Sequence, residues 1–259
     1  MTRTRCHARH TPRNAYETMR ALLNAAIEDE RTLLEANPLR IKGATREPRV
    51  AAKYLYSPAE VDALAAAIPA PHRALVVLLA DAGLRINEAL ALTRSSLVDR
   101  EDGGMSVRVE HSLHRVGRHL EAGPTKTAAG VRTVALMAST VTTMRAHLRH
   151  HVDEGPSAIL FPAPSGSGYA RDTALTRLLT ATQEAAGIEI PDGHSGGWHA
   201  LRHYSATRYG HAGATTRALM TRYGWSDPAM AARYQRSDED FEREVVARMA
   251  ERQAASLRG

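Results

Sequence analysis

Cysteine is almost missing: Cys6 is the only one in 259 residues. No intrachain disulfide is possible, which suits a reducing cytosol. Long apolar runs are missing too. The stretch Ala74 to Ala80 is too short to cross a bilayer, so no membrane partner is expected. No apolar segment follows the basic start Met1-Thr2-Arg3-Thr4-Arg5, so a secretory signal is not expected and the cytoplasm is the expected compartment. Internal repeats and long low-complexity tracts are lacking as well.

What is present is an ordinary globular composition, 43% hydrophobic, with a formal net charge of +6. That length allows one large or two small domains. The charge is uneven. Residues 1–53 hold eleven Lys/Arg against six Asp/Glu, a net of +5. A basic front segment ahead of a nearly neutral body suits contact with phosphates, with residues 1–12 read as a solvated tail.

Apolar residues recur at helical spacing from Tyr16 through Met19, Leu23, Ala26 and Ile27 to Leu34, predicting a helix that reaches about Glu35 and stops at Asn37-Pro38. Residues 38–54 read as a linker rich in basic residues, among them Arg40, Lys42, Arg46, Arg49 and Lys53. Ser57-Pro58-Ala59-Glu60 is a helix start with a capping box. Helices are expected near 58–67, 71–82 and 85–92. Alternation in Met105–Glu110 and Val131–Leu136, punctuated by Gly117, Gly123 and Gly130, predicts a small antiparallel sheet. Helices return near 138–151, 171–186, 198–211, 214–223 and 227–235, with a loop at 162–168. From 238 to 256 a charged helix carries Phe241, Val245, Val246 and Met249 on one face. The pattern is mainly α with a small antiparallel sheet, an α+β fold.

The chemistry-bearing residues run in a fixed order. Arg85 stands in Gly83-Leu84-Arg85-Ile86-Asn87-Glu88, and Lys126 in Pro124-Thr125-Lys126-Thr127. His199 and Arg202 stand in Trp198-His199-Ala200-Leu201-Arg202-His203. Trp225 follows Arg202 by 23 positions, and Tyr234 follows Trp225 by nine. A phenol can attack phosphorus, two guanidiniums can hold phosphodiester oxygens, and an ammonium can protonate a departing alkoxide. Imidazole and indole can add hydrogen bonds, the indole only as donor. His199 and His203 are four apart, but the zinc-protease pattern needs Glu where Ala200 stands, so no metal and no cofactor is expected. His203 reads as structural.

This order and spacing, from about Ser57 to the C-terminus, resembles the tyrosine recombinase (phage integrase) family. The resemblance implies cleavage and rejoining of double-stranded DNA through a 3′-phosphotyrosyl link, without metal or ATP. Tyr234 would be the nucleophile, Arg85 and Arg202 the phosphate clamp, and Lys126 the general acid. His199 would be a phosphate donor or an acceptor for the Tyr234 proton. Trp225 would stand where most members have His, and Glu88 would orient neighbouring side chains. Residues 1–53 would be a partial helical core-binding segment and basic linker, with Arg40, Lys42, Arg46, Arg49 and Lys53 along the duplex. Residues 54–259 would be the catalytic domain, its last helix packing either on its own domain or on a neighbouring protomer. The implied assembly is a homotetramer on paired DNA sites. Type IB topoisomerase-like relaxation and an inactive DNA-binding accessory protein are the competing readings.

Overall fold

The computed structural model describes residues 11–29, 34–41, 52–117, 119–125, 127–163, 168–235 and 239–256. The chain divides into two compact units, residues 1–52 and 53–259.

In the first unit, helix α1 (Thr11–Ile27) ends earlier than the apolar spacing predicts. Acidic Glu28 and Asp29 sit at its C-terminus, where the helix dipole disfavours negative charge. Residues 34–41 are irregular chain lying back along α1. Asn37 donates to the Arg20 carbonyl at 3.0 Å and accepts from the Leu39 N–H at 3.0 Å, while the Tyr16 hydroxyl donates to the Leu39 carbonyl at 3.0 Å. Leu34 belongs to this returning stretch of chain and not to the helix. Arg40 is exposed; Lys42, Arg46 and Arg49 lie outside the described residues.

The second unit begins with a fastening. The Tyr54 N–H donates to the Ser195 carbonyl at 3.0 Å. Buried Tyr56 donates to the Gly196 carbonyl and receives Gln183 Nε2 at 2.5 Å. Helix α2 (Pro58–Ala67) then starts at the predicted box: Ser57 Oγ accepts from the Glu60 N–H and Glu60 Oε2 from the Ser57 N–H. Helix α3 (Ala70–Ala82) is apolar on most sides and packs against α2, α5 (Ala138–His150) and α7 (Trp198–His211). Its Leu75, Leu78 and Leu79 are fully buried, as the centre of a main core must be. Short α4 (Ile86–Leu90) and α6 (Asp172–Ala185) complete this layer.

The sheet region is two pieces. Leu97–Asp99, Met105–Val109 and Arg132–Ala135 form a three-stranded antiparallel sheet, with Val107 opposite Val134 and Val109 opposite Arg132. His111–Val116 and His119–Pro124 form a separate hairpin, with Leu113 opposite Ala122. It packs on α4 and leads the chain back toward Thr127.

A second, smaller apolar cluster joins Ala206 of α7, Leu219 and Tyr223 of α8 (Thr216–Tyr223), Trp225, Ala231 of α9 (Pro228–Ala232) and Tyr234. Helix α10 (Glu239–Ser256) follows, with Phe241 and Val245 partly buried but Val246 and Met249 exposed. No helix among the described residues is long and apolar enough to cross a membrane.

Candidate active site

Arg85 owes its position to Gly83. The glycine caps α3 in the left-handed region (φ +62), and a Cβ there would collide with the Tyr223 ring. Two residues on, Arg85 is the N-cap of α4. Its N–H donates to Glu88 Oε2 at 2.9 Å and its Nη1 to Glu88 Oε1 at 2.7 Å. Glu88 Oε2 also receives Arg132 Nη2 at 2.7 Å. Burial alone would raise the Glu88 carboxyl. The hydrogen bond and charge of Arg132, with the Arg85 bonds, outweigh it and hold the group below the usual carboxylate range. Arg132 also donates to the carbonyls of Gly130 and Arg222, so one carboxylate ties α4, the sheet and the end of α8 together.

Arg202, on α7, is buried. It donates Nη1 to the Gly83 carbonyl at 2.6 Å and Nη2 to the Tyr223 carbonyl at 2.5 Å, and it lies over the rings of Tyr223 and Trp225. Desolvation first, then the Arg85 and Arg132 charges, push its pKa down to about 10, so it stays cationic at neutral pH. His199, one turn earlier, is open to solvent on one side. Desolvation by the surrounding protein, then the charges of Lys53, Arg202 and Arg85, push it down to about 4. The cationic neighbours act even on its exposed side, so it is neutral at pH 7.

Trp225 stacks on Tyr223 at 4.9 Å and on Tyr234 at 5.1 Å, the latter with planes 13° apart. Asp227 caps α9 through the Ala229 N–H, and Pro228 takes its first position. The helix closes at Ala232, so Tyr234 stands in the turn after it and not inside a helix as the periodicity suggests. That turn touches α7 at Gly210, where a Cβ would overlap the Tyr234 carbonyl oxygen. Tyr234 is 9% exposed. Burial raises its phenol above the ordinary value despite the lowering charges of Arg202 and Arg233.

One cavity of about 280 Å³ gathers Arg85, His199, Arg202, Trp225 and Tyr234, together with Lys53, Thr127 and His203. Lys53, expected along a linker, stands on this wall instead. Burial and the charges of Arg202 and Arg233 lower its pKa. Lys126 lies outside the described residues, between Thr125 and cavity-lining Thr127. Glu88 reaches the cavity only through Arg85. Two participants escape a reading of the sequence. Arg132 gives no signal there, since its partner Glu88 is 44 positions away. His203 reads as structural, yet its Nδ1 lies 3.2 Å from the Tyr234 hydroxyl. Its place four residues after His199, on the same helix face, is the available clue.

The arrangement is a cationic recess with a protected phenol on its wall, suited to a phosphodiester. Its carboxylate, Asp227, is engaged as the α9 cap. Among the described residues no three His, Cys, Asp or Glu side chains cluster as a metal site would.

The phage integrase family model matches residues 55–240. The chain is 34% identical over 242 residues to an integrase of Mycobacterium phage FRAT1, covering 92% of this chain and 69% of that one. It is 32% identical over 238 residues to a putative prophage phiRv2 integrase of Mycobacterium tuberculosis, covering 90% and 60%. Among solved structures, it resembles the Tn1549 transposon integrase in complex with circular intermediate DNA, with a TM-score of 0.70, 22% identity, and coverage of 91% and 78%. A lambda integrase dimer bound to a core site matches with a TM-score of 0.59 at 17% identity, over 86% and 58%. The chain thus spans 60 to 69% of the length of these two curated relatives, and it shares the mainly helical recombinase catalytic fold. On the family match and these identities, the chain belongs to the phage integrase, or tyrosine recombinase, family.

Proposed function

We propose that this chain cuts and rejoins double-stranded DNA at specific sites through a 3′-phosphotyrosyl intermediate on Tyr234. The observation that carries the reading is the shared recess in which the Tyr234 phenol meets Arg85, Arg202 and His199. Arg85 and Arg202 face the charge that develops on the phosphate oxygens, where each donor is worth about 10²–10³ in rate. His199, neutral at pH 7, hydrogen-bonds the phosphate, and Trp225 shapes the wall behind the phenol. Lys126 protonates the leaving 5′-oxygen. The phosphotyrosyl bond conserves the energy of the phosphodiester, so a second 5′-hydroxyl can reverse the step without ATP or metal. Residues 1–53 act as a partial core-binding segment and basic linker, with Arg40, Lys42, Arg46 and Arg49 along the duplex. Residues 54–259 act as the catalytic domain, and four chains assemble on two sites.

The test uses a pool of nicked duplexes with randomised sequence around the nick, from which the cut fragment diffuses away. The full chain is expected to give an adduct stable to detergent, undiminished by EDTA, whose DNA converges on one site. No adduct, or one that needs added magnesium, would remove the proposal.

A further inference from the structure

The Tyr234 hydroxyl meets the imidazole of His203. Nδ1 and the hydroxyl oxygen are 3.2 Å apart, and the rings meet edge to face at 5.4 Å and 63°. Both residues line the recess. Neither ring is free to drift. His203 is in the second turn of α7, whose last turn carries Gly210 against the Tyr234 backbone, and Tyr234 is stacked on Trp225.

Resting on the transesterification reading above, we propose that His203 is the catalytic base that takes the Tyr234 phenolic proton during attack and returns it when the strand is rejoined. The protonation states fit. Burial holds the phenol in its protonated form, and burial with the Lys53 charge holds His203 neutral. In this pairing the phenol donates and Nδ1 accepts, which requires the Nε2–H tautomer. In the forward step the Tyr234 oxygen bonds to phosphorus and its proton passes to Nδ1. The bond from phosphorus to the 5′-oxygen breaks, and that oxygen takes a proton from the general acid. His203 gains the charge the acid gives up. The transition state, one negative charge richer than the diester, offsets the new imidazolium in a cationic recess. Rejoining runs the same transfers backward. His199 lines the same wall, but the hydrogen bond to the phenol is made by His203 and not by His199.

The groups facing His203 are His199 on its own helix, Lys53 at the start of the unit and the Tyr234 phenol, while Arg202 and Arg233 act on that phenol. The first measurement needs no DNA. In this chain labelled with nitrogen-15 histidine, His203 should show the Nε2–H tautomer, and Tyr234→Phe should raise its pKa by removing the donor that favours the neutral ring. An Nδ1–H tautomer, or a pKa unmoved by Tyr234→Phe, would overturn the pairing. The second uses a nicked duplex recovered from the trapping pool. His203→Gln and His203→Phe should each slow adduct formation at pH 7 by on the order of 10² or more. Their rates should keep climbing with pH where the parent chain is already level. A 5′-bridging sulfur, a leaving group that needs no proton, should not restore them. Parent-like rates and pH profile in both variants, or restoration by sulfur, would refute the base assignment while the parent chain still forms its adduct. Absence of adduct from the parent chain itself would instead fail the transesterification reading.

Discussion

At the scale of single residues, two arginines bound to one carboxylate are expected to behave differently. Arg132 and Glu88 are both 2% exposed at their side chains, whereas Arg85 is 46% exposed. Removing one partner of a buried pair leaves an uncompensated charge. Arg132→Ala should therefore cost about 3–5 kcal/mol of stability, read as a lower urea midpoint at unchanged slope. Arg85→Ala should move the midpoint much less, because Arg85 is itself half in solvent and Arg132 still pairs with Glu88, yet slow adduct formation by roughly 10². Comparable stability losses in the two variants would contradict the division of roles. Arg85 and Glu88 are legible in the sequence because they are three apart at a helix start. Arg132 is not, because a strand residue in an alternating run gives no sign that its inward neighbour is a carboxylate from another element.

At the scale of elements, the helices of the second unit are legible wherever caps and apolar spacing agree, as at Ser57–Glu60 for α2. Sequence and structure part where a tertiary contact, or a very short element, decides. Leu97–Asp99 is three residues long, too short to show a period, and takes its form from pairing with Met105–Val107. The spacing overextends α1 because Leu34 falls in phase with the helix by position alone. It carries α9 through Tyr234 because Met230 and Tyr234 are four apart, whereas the structure turns the chain at Arg233 so that Tyr234 meets α7. Gly210 makes that meeting possible. Gly210→Ala should force the Tyr234 turn outward, costing about 1–3 kcal/mol. It should also slow adduct formation by up to ~10², as expected for a nucleophile displaced by about 1 Å. Folded fraction by circular dichroism and adduct rate on the same preparation check this; parent-like values for both would show the approach to be slack.

At the scale of the whole molecule, charge distribution and protonation make predictions that no single side chain makes. His72, His147, His199 and His203 all have pKa values lowered from 6.5, with desolvation as the first cause. The unfolded chain therefore binds protons near pH 6.5 that the folded chain refuses. Stability is fully present above that value and is lost as pH falls below it. Calorimetry from pH 7 to pH 5 should show a falling unfolding midpoint, and a flat midpoint would contradict these environments. The basic front segment is legible from composition, and its role is tested through salt. Replacing Arg40, Lys42, Arg46 and Arg49 by Gln should flatten the plot of log affinity against log salt by up to ~0.9 for each phosphate no longer neutralised. An unchanged slope would place the phosphate-binding cations in the second unit. The most direct measurement concerns the covalent link itself. Protein trapped on a nicked duplex is digested with protease and nuclease, and the modified peptide is sequenced by mass spectrometry. The mechanism predicts a nucleotide joined through its 3′-phosphate to Tyr234, a free 5′-hydroxyl on the other fragment, and no adduct from Tyr234→Phe. A link on any other residue, a 5′-phosphate link, or an adduct that survives Tyr234→Phe would contradict it.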